Sequence, residues 1–186
     1  MPTLRILTYG HPALRQECAP VRKIDAELRD LVEAMAEAMY QSHGVGLAAP
    51  QVGVLKRLLV ADVDWVRRDE NGRKAAETGP RNLHVYINPE IVWESDEDVR
   101  MTEGCLSLPG LEGEIYRPAS VRVSYEDLAG LRYEDKLDDL LARCVQHEMD
   151  HLGGILFVDR MPFLKRAQLA GALNRLKKES LASAAP

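Results

Sequence analysis

The sequence predicts an α+β fold. Segments with apolar residues at helical spacing stand near both ends of the chain, and short segments rich in β-branched and aromatic residues lie between them. The two kinds of segment do not alternate regularly, as the βαβ units of a parallel sheet would. The length of 186 residues fits one domain large enough to bury a core, so we expect residues 1–186 to form a single domain.

Helices are expected in three places. The first begins after Asp25, a good N-cap, and ends before Gly44. Its apolar residues at helical spacing are Leu28, Leu31, Val32, Met35 and Met39. The second helix is expected at about 138–152 and the third at about 162–180. The small residues within 181–186 indicate a frayed tail.

Strands are expected in "RLLVADVD", "HVYINPEIVW" and "SVRVSYEDL", which span residues 57–64, 84–93 and 120–128. Each segment is short, rich in β-branched or aromatic residues, and has Pro or Gly nearby. Between the first two lies a polar, turn-rich stretch from Arg67 to Asn82. We expect it to be a long exposed excursion that separates strands rather than domains.

The composition argues against several classes of protein. The formal net charge is −5, with 28% charged and 46% apolar residues, which is not the balance of a protein that coats nucleic acid. No signal peptide or bilayer-spanning apolar window is recognisable, so we expect a cytoplasmic protein without a membrane partner. The cysteines are widely spaced and form no C-x-x-C pair, which indicates neither a disulfide framework nor a zinc finger.

The stretch "CVQHEMDHLGG" is the first signal of chemistry. His147 and His151 would share one face of a helix, with Glu148 beside them. Such a pair can hold a metal ion, or it can be an ordinary histidine pair on a helix. The third ligand of known zinc peptidases is hard to find here. Phe157 stands where some of them have a third histidine, and Glu179, a later glutamate, is close to the C-terminus.

Three further features could take part in binding or catalysis. Cys144 lies one helical turn before His147 and would line the floor of a metal site rather than ligate. Cys105, in "TEGCLSLPG", is either a thiol held at a fixed bend or a buried small residue. In "GVGLAAPQVG", residues 44–53, the glycines indicate a close approach to another chain or the end of the first helix. The Gln51 amide in this segment needs a polar partner.

Together, "GVGLAAPQ", "EGCLS" and "QHEMDH" resemble the three signatures of the peptide deformylase family, GxGLAAxQ, EGCLS and QHExDH. The segments "HPALRQ", "INPEI" and "LFVDR" extend the resemblance over nearly the whole chain up to the last helix. The resemblance implies short antiparallel strands and sheets packed around a central helix with the H-E-x-x-H motif, plus an N-terminal and a C-terminal helix. It also implies a hydrolase that removes the formyl group from the N-terminal formyl-methionine of nascent polypeptides and releases formate.

The resemblance assigns the metal site. Cys105, His147 and His151 would hold one divalent transition metal ion per chain, and water would take the fourth position, which is open in catalytic sites. Ferrous iron is the usual metal of the family, and zinc, nickel or cobalt can substitute. Glu148, which is not a ligand, would take the proton of the water and pass it to the leaving amine.

The resemblance also implies how the substrate is bound. The Gln51 side-chain amide and the Leu106 backbone N–H would stabilise negative charge on the formyl oxygen. Gly46 would form a hydrogen bond to the peptide through its backbone. A flexible apolar pocket would select methionine, although ordinary core packing is an equally good interpretation of any one of its residues. The residues that match this pocket are Val45, Leu140 and Cys144.

Two positions depart from the family pattern. Many bacterial members have Glu just before the first signature and Arg a few residues after EGCLS, whereas this chain has His43 and Glu112 there. We hypothesise that His43 and Glu112 replace the usual ion pair at the rim of the pocket.

The last helix suggests a partner. Its basic residues are Lys165, Arg166, Arg175, Lys177 and Lys178. The helix face that carries these basic residues is either an ordinary solvent-exposed surface or a contact site for the ribosome. A C-terminal helix contacts the ribosome in some family members. By the habit of the family we expect a monomer. Two other functions stay open, a zincin-like metallopeptidase and a catalytically silent ribosome-binding homologue.

Overall fold

The computed structural model describes residues 4–68 and 74–183. Its strands are β1 Gly46–Ala48, β2 Leu58–Ala61, β3 Val66–Arg68, β4 Lys74–Thr78, β5 His84–Glu94, β6 Asp98–Gly104, β7 Glu112–Pro118, β8 Ser120–Glu126 and β9 Arg132–Asp138. Its helices are α1 Ala26–Gln41, α2 Asp139–Leu152, α3 Phe157–Arg160, α4 Phe163–Gln168 and α5 Ala170–Ser183, with short 3-10 helices at Pro12–Arg15 and Ala49–Val52. The predicted α+β class is confirmed.

The main sheet is antiparallel and has the strand order β1-β2-β5-β8-β9. Separate antiparallel pairs are formed by β6 with β7 and by β3 with β4. The segments predicted at 57–64, 84–93 and 120–128 contain β2, β5 and β8, so these strands are confirmed.

The main sheet lies between α1 and α2. Successive side chains of a strand point to opposite faces of its sheet. In β2, accordingly, Leu58 and Val60 pack in the apolar cluster that contains α1, whereas Leu59 and Ala61 pack in the cluster that contains α2. Residues 58–61 are all fully buried. The helix with the two histidines is therefore held against the sheet.

The first two helices follow the prediction closely. The side chain of Asp25 caps α1 by accepting a hydrogen bond from the backbone N–H of Leu28 at 3.1 Å. Helix α1 ends at Gln41, before Gly44. Helix α2 begins at Asp139 and is buried over most of its length.

The predicted third helix is two helices. The chain turns at Leu169, whose N–H donates to the carbonyl of Arg166 at 3.0 Å, a tight closure of the last turn of α4. This turn lets Leu169 and Leu173 both pack in the cluster around Phe157. Helix α5 includes residues 181–183, which we expected in the frayed tail, and residues 184–186 lie outside the described part.

Several strands of the structure were not predicted from the sequence. The excursion at 67–82, which we expected to separate strands, itself contains part of β3 and all of β4. Residues 69–73 of that excursion lie outside the described part. Strand β9 has the sequence "RYEDKLD" and exposes all its residues except Leu137. Its edge position requires only backbone pairing with β8, so it lacks the apolar pattern of a buried strand.

None of the helices in residues 4–68 and 74–183 combines the length and the apolar character that crossing a membrane requires.

Candidate active site

Three potential metal ligands meet beside α2. His147 and His151 lie one turn apart on this helix, with ring centroids separated by 5.2 Å. Cys105 follows directly after β6, and its Sγ is 3.3 Å from Nε2 of His151. One ligand atom from each of the three residues lies within 4.8 Å of the others. A thiol and two imidazoles at this spacing fit a transition metal ion.

Glu103 orients one of the histidines. Its carboxylate accepts a hydrogen bond from Nδ1 of His147 at 2.9 Å, which leaves Nε2 as the nitrogen available to a metal ion. Burial opposes ionisation of Glu103, but hydrogen bonds from Arg117 and His147 outweigh it and hold the pKa of Glu103 well below its usual value. Glu103 therefore carries a negative charge beside the site.

Buried charges surround this contact. Arg117 donates to both oxygens of Glu103 at 2.7 and 2.9 Å and to Asp150 at 2.8 Å. Arg143 donates to Glu103 at 3.0 Å and to the carbonyls of Val99 and Ile115. Paired charges of this kind hold each other in fixed geometry, because losing one partner would leave the other buried and uncompensated.

His151 presents a neutral imidazole. Burial lowers its pKa well below the usual value, and the neighbouring His147 adds to this effect. Its Nδ1 has no hydrogen-bond partner among the described residues. Metal ions bind the neutral form of histidine, so the environment of this side chain favours ligation.

Glu148 points its carboxylate into the same region. The residue is buried, and its Oε2 has no hydrogen-bond partner among the described residues. Burial raises the pKa of Glu148 to about 7, although the positive charges of His147 and Arg117 act in the opposite direction. A carboxyl group with a pKa near neutrality can both accept and donate a proton.

Gln51 reaches the site from the 3-10 helix Ala49–Val52. Its Oε1 accepts a hydrogen bond from the N–H of Ala48 at 2.7 Å, which fixes the orientation of the amide. Its Nε2 lies 3.5 Å from Sγ of Cys105 and 3.2 Å from Oγ of Ser107. The polar partner that the sequence required is therefore provided, and the amide donor is directed at the potential metal site.

A cleft of about 660 Å³ opens onto these residues. Its lining comprises residues 42–46, 104–106 and 108–112 together with Thr102, His147 and Glu148. Gly46 packs closely against the side chains of Cys144 and Glu148, because a Cβ added there would be 2.6 Å from both Sγ of Cys144 and Oε1 of Glu148. Cleft and charged groups together form a site that can bind an extended chain and transfer protons.

Comparison with known proteins agrees with this geometry. A family model for polypeptide deformylase matches residues 3–167. The chain belongs to the polypeptide deformylase family. It is 43% identical to the peptide deformylase of Phenylobacterium zucineum over 183 residues, which cover 98% of this chain and 100% of that protein.

Solved structures of polypeptide deformylases share the fold. Peptide deformylase from Plasmodium falciparum has a TM-score of 0.86 and 35% identity, covering 98% of this chain and 100% of that one. Peptide deformylase from Synechococcus elongatus in complex with actinonin has a TM-score of 0.78 and 38% identity, covering 97% and 87% of the two chains.

The three signatures of the polypeptide deformylase family come together in this fold. "GVGLAAPQ" provides β1 and the 3-10 helix with Gln51, "EGCLS" joins the end of β6 to the cleft, and "QHEMDH" lies in α2. Phe157, at the position of a zincin third histidine, stacks on His147 with ring centroids 6.3 Å apart. The third potential ligand beside the two histidines is instead the thiol of Cys105.

The residues expected to bind substrate fall into two groups. Val45, Gly46 and Leu106 line the cleft. Cys144 lies behind it, where its Sγ donates to the carbonyl of Val45 at 3.3 Å. Leu140 does not belong to the lining formed by the described residues, because it stands near the start of α2, two turns before His147.

His43 and Glu112 both line the cleft. Their positions satisfy the first requirement of the hypothesis that they replace the Glu–Arg pair of many bacterial deformylases. Their pairing stays a prediction.

The buried charges around His147 were not predicted from the sequence. Glu103 belongs to the "EGCLS" signature, but only its neighbours were given roles. Arg143 and Asp150 lie four residues before and three residues after His147, so they share its side of α2. The sequence signal for these buried charges was the presence of charged residues on the side of the helix that is expected to be buried.

Proposed function

We propose that this protein hydrolyses the formamide bond of N-terminal formyl-methionine in nascent polypeptides and releases formate. The observation that supports this most is the meeting of Cys105, His147 and His151 in one cleft with Glu148, whose Oε2 has no hydrogen-bond partner among the described residues. A structural metal site would need neither Glu148 nor the oriented amide of Gln51. We further propose that residues 1–186 form one catalytic domain.

The metal ion would be held by Cys105, His147 and His151. When bound, it would supply a Lewis acid that polarises the formyl oxygen and acidifies water. The chain itself supplies the proton transfers. Glu148 takes a proton from the attacking water and delivers it to the nitrogen of the leaving amine, a dual role that suits a pKa of about 7.

Charge on the formyl oxygen would be stabilised by two donors, the side-chain amide of Gln51 and the backbone N–H of Leu106. The hydrogen bond from Ala48 fixes the amide before substrate arrives. Donors that are already oriented need no reorganisation when charge develops.

Methionine selection would depend on the wall of the cleft. Val45 and Gly46 would contact the substrate directly, with Gly46 bonding to the peptide backbone. Cys144 would act from behind by supporting Val45. Leu140 would not contact the substrate directly, because it is not among the described residues that line the cleft.

We propose ferrous iron as the bound metal, with zinc, nickel or cobalt able to substitute. One thiolate and two imidazoles suit several first-row divalent ions, and ferrous iron is the usual metal of this family. Metal content after preparation with each ion, and activity of each form, would test this order.

The activity can be tested directly. Protein prepared anaerobically with ferrous iron should release formate from a formyl-methionyl peptide and leave its internal peptide bonds intact. A zincin-like metallopeptidase would instead cut an unformylated peptide internally. A catalytically silent homologue would bind metal and release no formate.

Ribosome contact is a second proposal, and it rests on α5. Arg175, Lys177 and Lys178 are exposed on this helix, while Leu173 is buried. Ser180 donates to the carbonyl of Thr8 at 3.1 Å, so the helix is anchored at its inner side. We propose a cytoplasmic monomer whose basic helix face contacts the ribosome. Reversal of the three charges should weaken co-sedimentation with ribosomes and leave turnover of free peptides unchanged.

A further inference from the structure

Trp65 lies behind one wall of the cleft. It sits in the turn between β2 and β3 and is 5% exposed. Its indole Nε1 donates a hydrogen bond to the carbonyl of Gly44 at 2.9 Å. Gly44 begins the segment 44–46 that forms this wall.

The wall is held tightly from both sides. A Cβ at Gly44 would lie 2.6 Å from Cδ1 of Leu106, so this residue has no free space on the cleft side. On the other side, the carbonyl of Val45 accepts from the N–H of Asp62 at 2.8 Å. Trp65 and Asp62 therefore hold two successive carbonyls of the wall.

This anchoring determines the direction of a backbone donor. The described chain has no cis peptide bond, and in a trans peptide the C=O and N–H point in opposite directions. Because the carbonyl of Gly44 is directed at Trp65, the N–H of Val45 is directed away from it. His43, the residue before Gly44, adopts a left-handed φ of 54°. This conformation needs support from its surroundings.

Trp65 is itself fixed. Its ring meets Tyr40 edge-on with centroids 5.0 Å apart and lies nearly parallel to the ring of His43 at 6.2 Å. Its backbone N–H donates to Asp62, a fully buried carboxylate that also accepts from the hydroxyl of Tyr40 at 2.7 Å and from the N–H of Asn82 at 2.7 Å. The indole thus presents its N–H from a rigid support.

We propose that Trp65 is a positioning residue for peptide binding, which fixes the backbone of residues 44–46 without touching the substrate. The inference rests on the proposed function, because it assumes that a formylated peptide lies along this wall. It predicts an effect on substrate binding rather than on proton transfer, since the hydrogen bonds and ring contacts of Trp65 described above are with the wall and its support, not with Glu148.

The test compares Trp65→Phe with Tyr125→Phe. Trp65→Phe keeps an aromatic ring and removes the donor to Gly44, so KM for a formyl-methionyl peptide should rise between about 2-fold and 10-fold, the worth of one hydrogen bond. A change that affects binding alone raises KM and leaves kcat unchanged, so kcat and metal content should stay within about twofold of wild type. Tyr125→Phe removes a hydrogen bond of the same kind, from the hydroxyl to Asp135 at 2.7 Å, outside this cluster, and should not change KM.

A lower Tm with unchanged KM in Trp65→Phe would show that Trp65 only packs the core, and would overturn the proposal. Formate release by wild type is read in the same assay, so failure of the proposed function would appear there first. If Trp65→Phe does not fold, the fluorescence of Trp65 can be measured in a Trp93→Phe protein, in which Trp65 is the only tryptophan. Saturable change in its fluorescence with an unformylated methionyl peptide, the reaction product, would support the proposal, and an unresponsive signal would overturn it.

Discussion

Nδ1 of His147 donates a hydrogen bond to the carboxylate of Glu103, 2.9 Å away. Two arginines, Arg117 and Arg143, hold that carboxylate from the other side. A ligand oriented in this way loses less freedom when a metal ion binds, and loss of such a partner commonly weakens metal binding. The strength of metal binding should therefore depend on a residue that is not itself a ligand.

Glu103→Gln should weaken metal binding by about 10- to 100-fold. The amide can still face His147, but it no longer carries the charge that balances the two arginines. A competition titration with a chelator measures the dissociation constant. Glu114→Gln is a suitable control, because Glu114 is exposed and its ion pair with Arg100, at 3.5 Å, is exposed as well. Equal metal affinity in both variants and wild type would contradict this role.

Gly46→Ala should reduce both activity and stability. The added Cβ would lie 2.6 Å from Oε1 of Glu148 and from Sγ of Cys144, so the carboxylate must move. Overpacking of this kind costs about 1–3 kcal/mol of unfolding free energy. Gly171→Ala is the matched control, because a Cβ at Gly171 meets nothing within 4 Å. In that helical position alanine should be neutral or stabilising by up to about 1 kcal/mol.

Glu148→Ala should retain the metal and lose proton transfer. We expect kcat to fall by about 10²- to 10⁴-fold. Glu179→Ala, which changes an exposed glutamate of α5, should keep normal turnover and metal content. Near-normal turnover of Glu148→Ala would remove this residue from the mechanism, and metal loss from Glu179→Ala would revive the zincin alternative.

Acid should weaken the contact between Arg15 and Asp159. Burial opposes ionisation of Asp159, but hydrogen bonds from Arg15 and from the N–H of Leu156 prevail and lower its pKa. A carboxyl group whose pKa is lower in the folded state stabilises the fold above its unfolded pKa of about 3.9. This stabilisation is lost as the pH falls through the folded pKa.

A double-mutant cycle with Arg15→Gln and Asp159→Asn measures this contact. The coupling energy should be about 0.2–1 kcal/mol at neutral pH, the usual range for an exposed pair. It should then decline as the pH falls below about 4. A coupling energy that is independent of pH would show that the charge of Asp159 contributes nothing.

Some elements of the fold and of the site could be predicted because a single short segment of the sequence determines each of them. Asp25 and the apolar spacing that follows it determine α1, and the three signatures identified Cys105, Gln51 and the histidine pair. The strands with buried faces, β2, β5 and β8, also carried a clear apolar pattern. Each of these signals lies within a single short segment.

The missed features depend on contacts between distant segments. Strands β6 and β9 are mostly exposed and polar, so only pairing with β7 and β8 defines them. Glu103 meets Arg117 and Arg143 only after β6, β7 and α2 have come together. Similarly, the turn at Leu169 brings its side chain into the cluster around Phe157, which lies in a different segment of the chain. A single sequence gives no register for such contacts.

The thiol of Cys105 distinguishes this site from that of a zincin. Burial raises the pKa of Cys18 to about 11 and that of Cys144 well above its usual value, so both thiols should react slowly with alkylating reagents. Metal should protect Cys105, and removal of the metal should add one fast-reacting thiol per chain. Fast labelling that is insensitive to metal would argue against ligation.

Cys105→Ser tests the central claim most directly, with metal content and formate release measured on the same anaerobic preparation. Serine is a poor substitute for a soft thiolate ligand. We predict a folded protein that has lost most of its tightly bound metal and most of its formate release. A folded Cys105→Ser protein with one tightly bound metal ion per chain and near-native formate release would contradict the account, because the third ligand would then lie elsewhere.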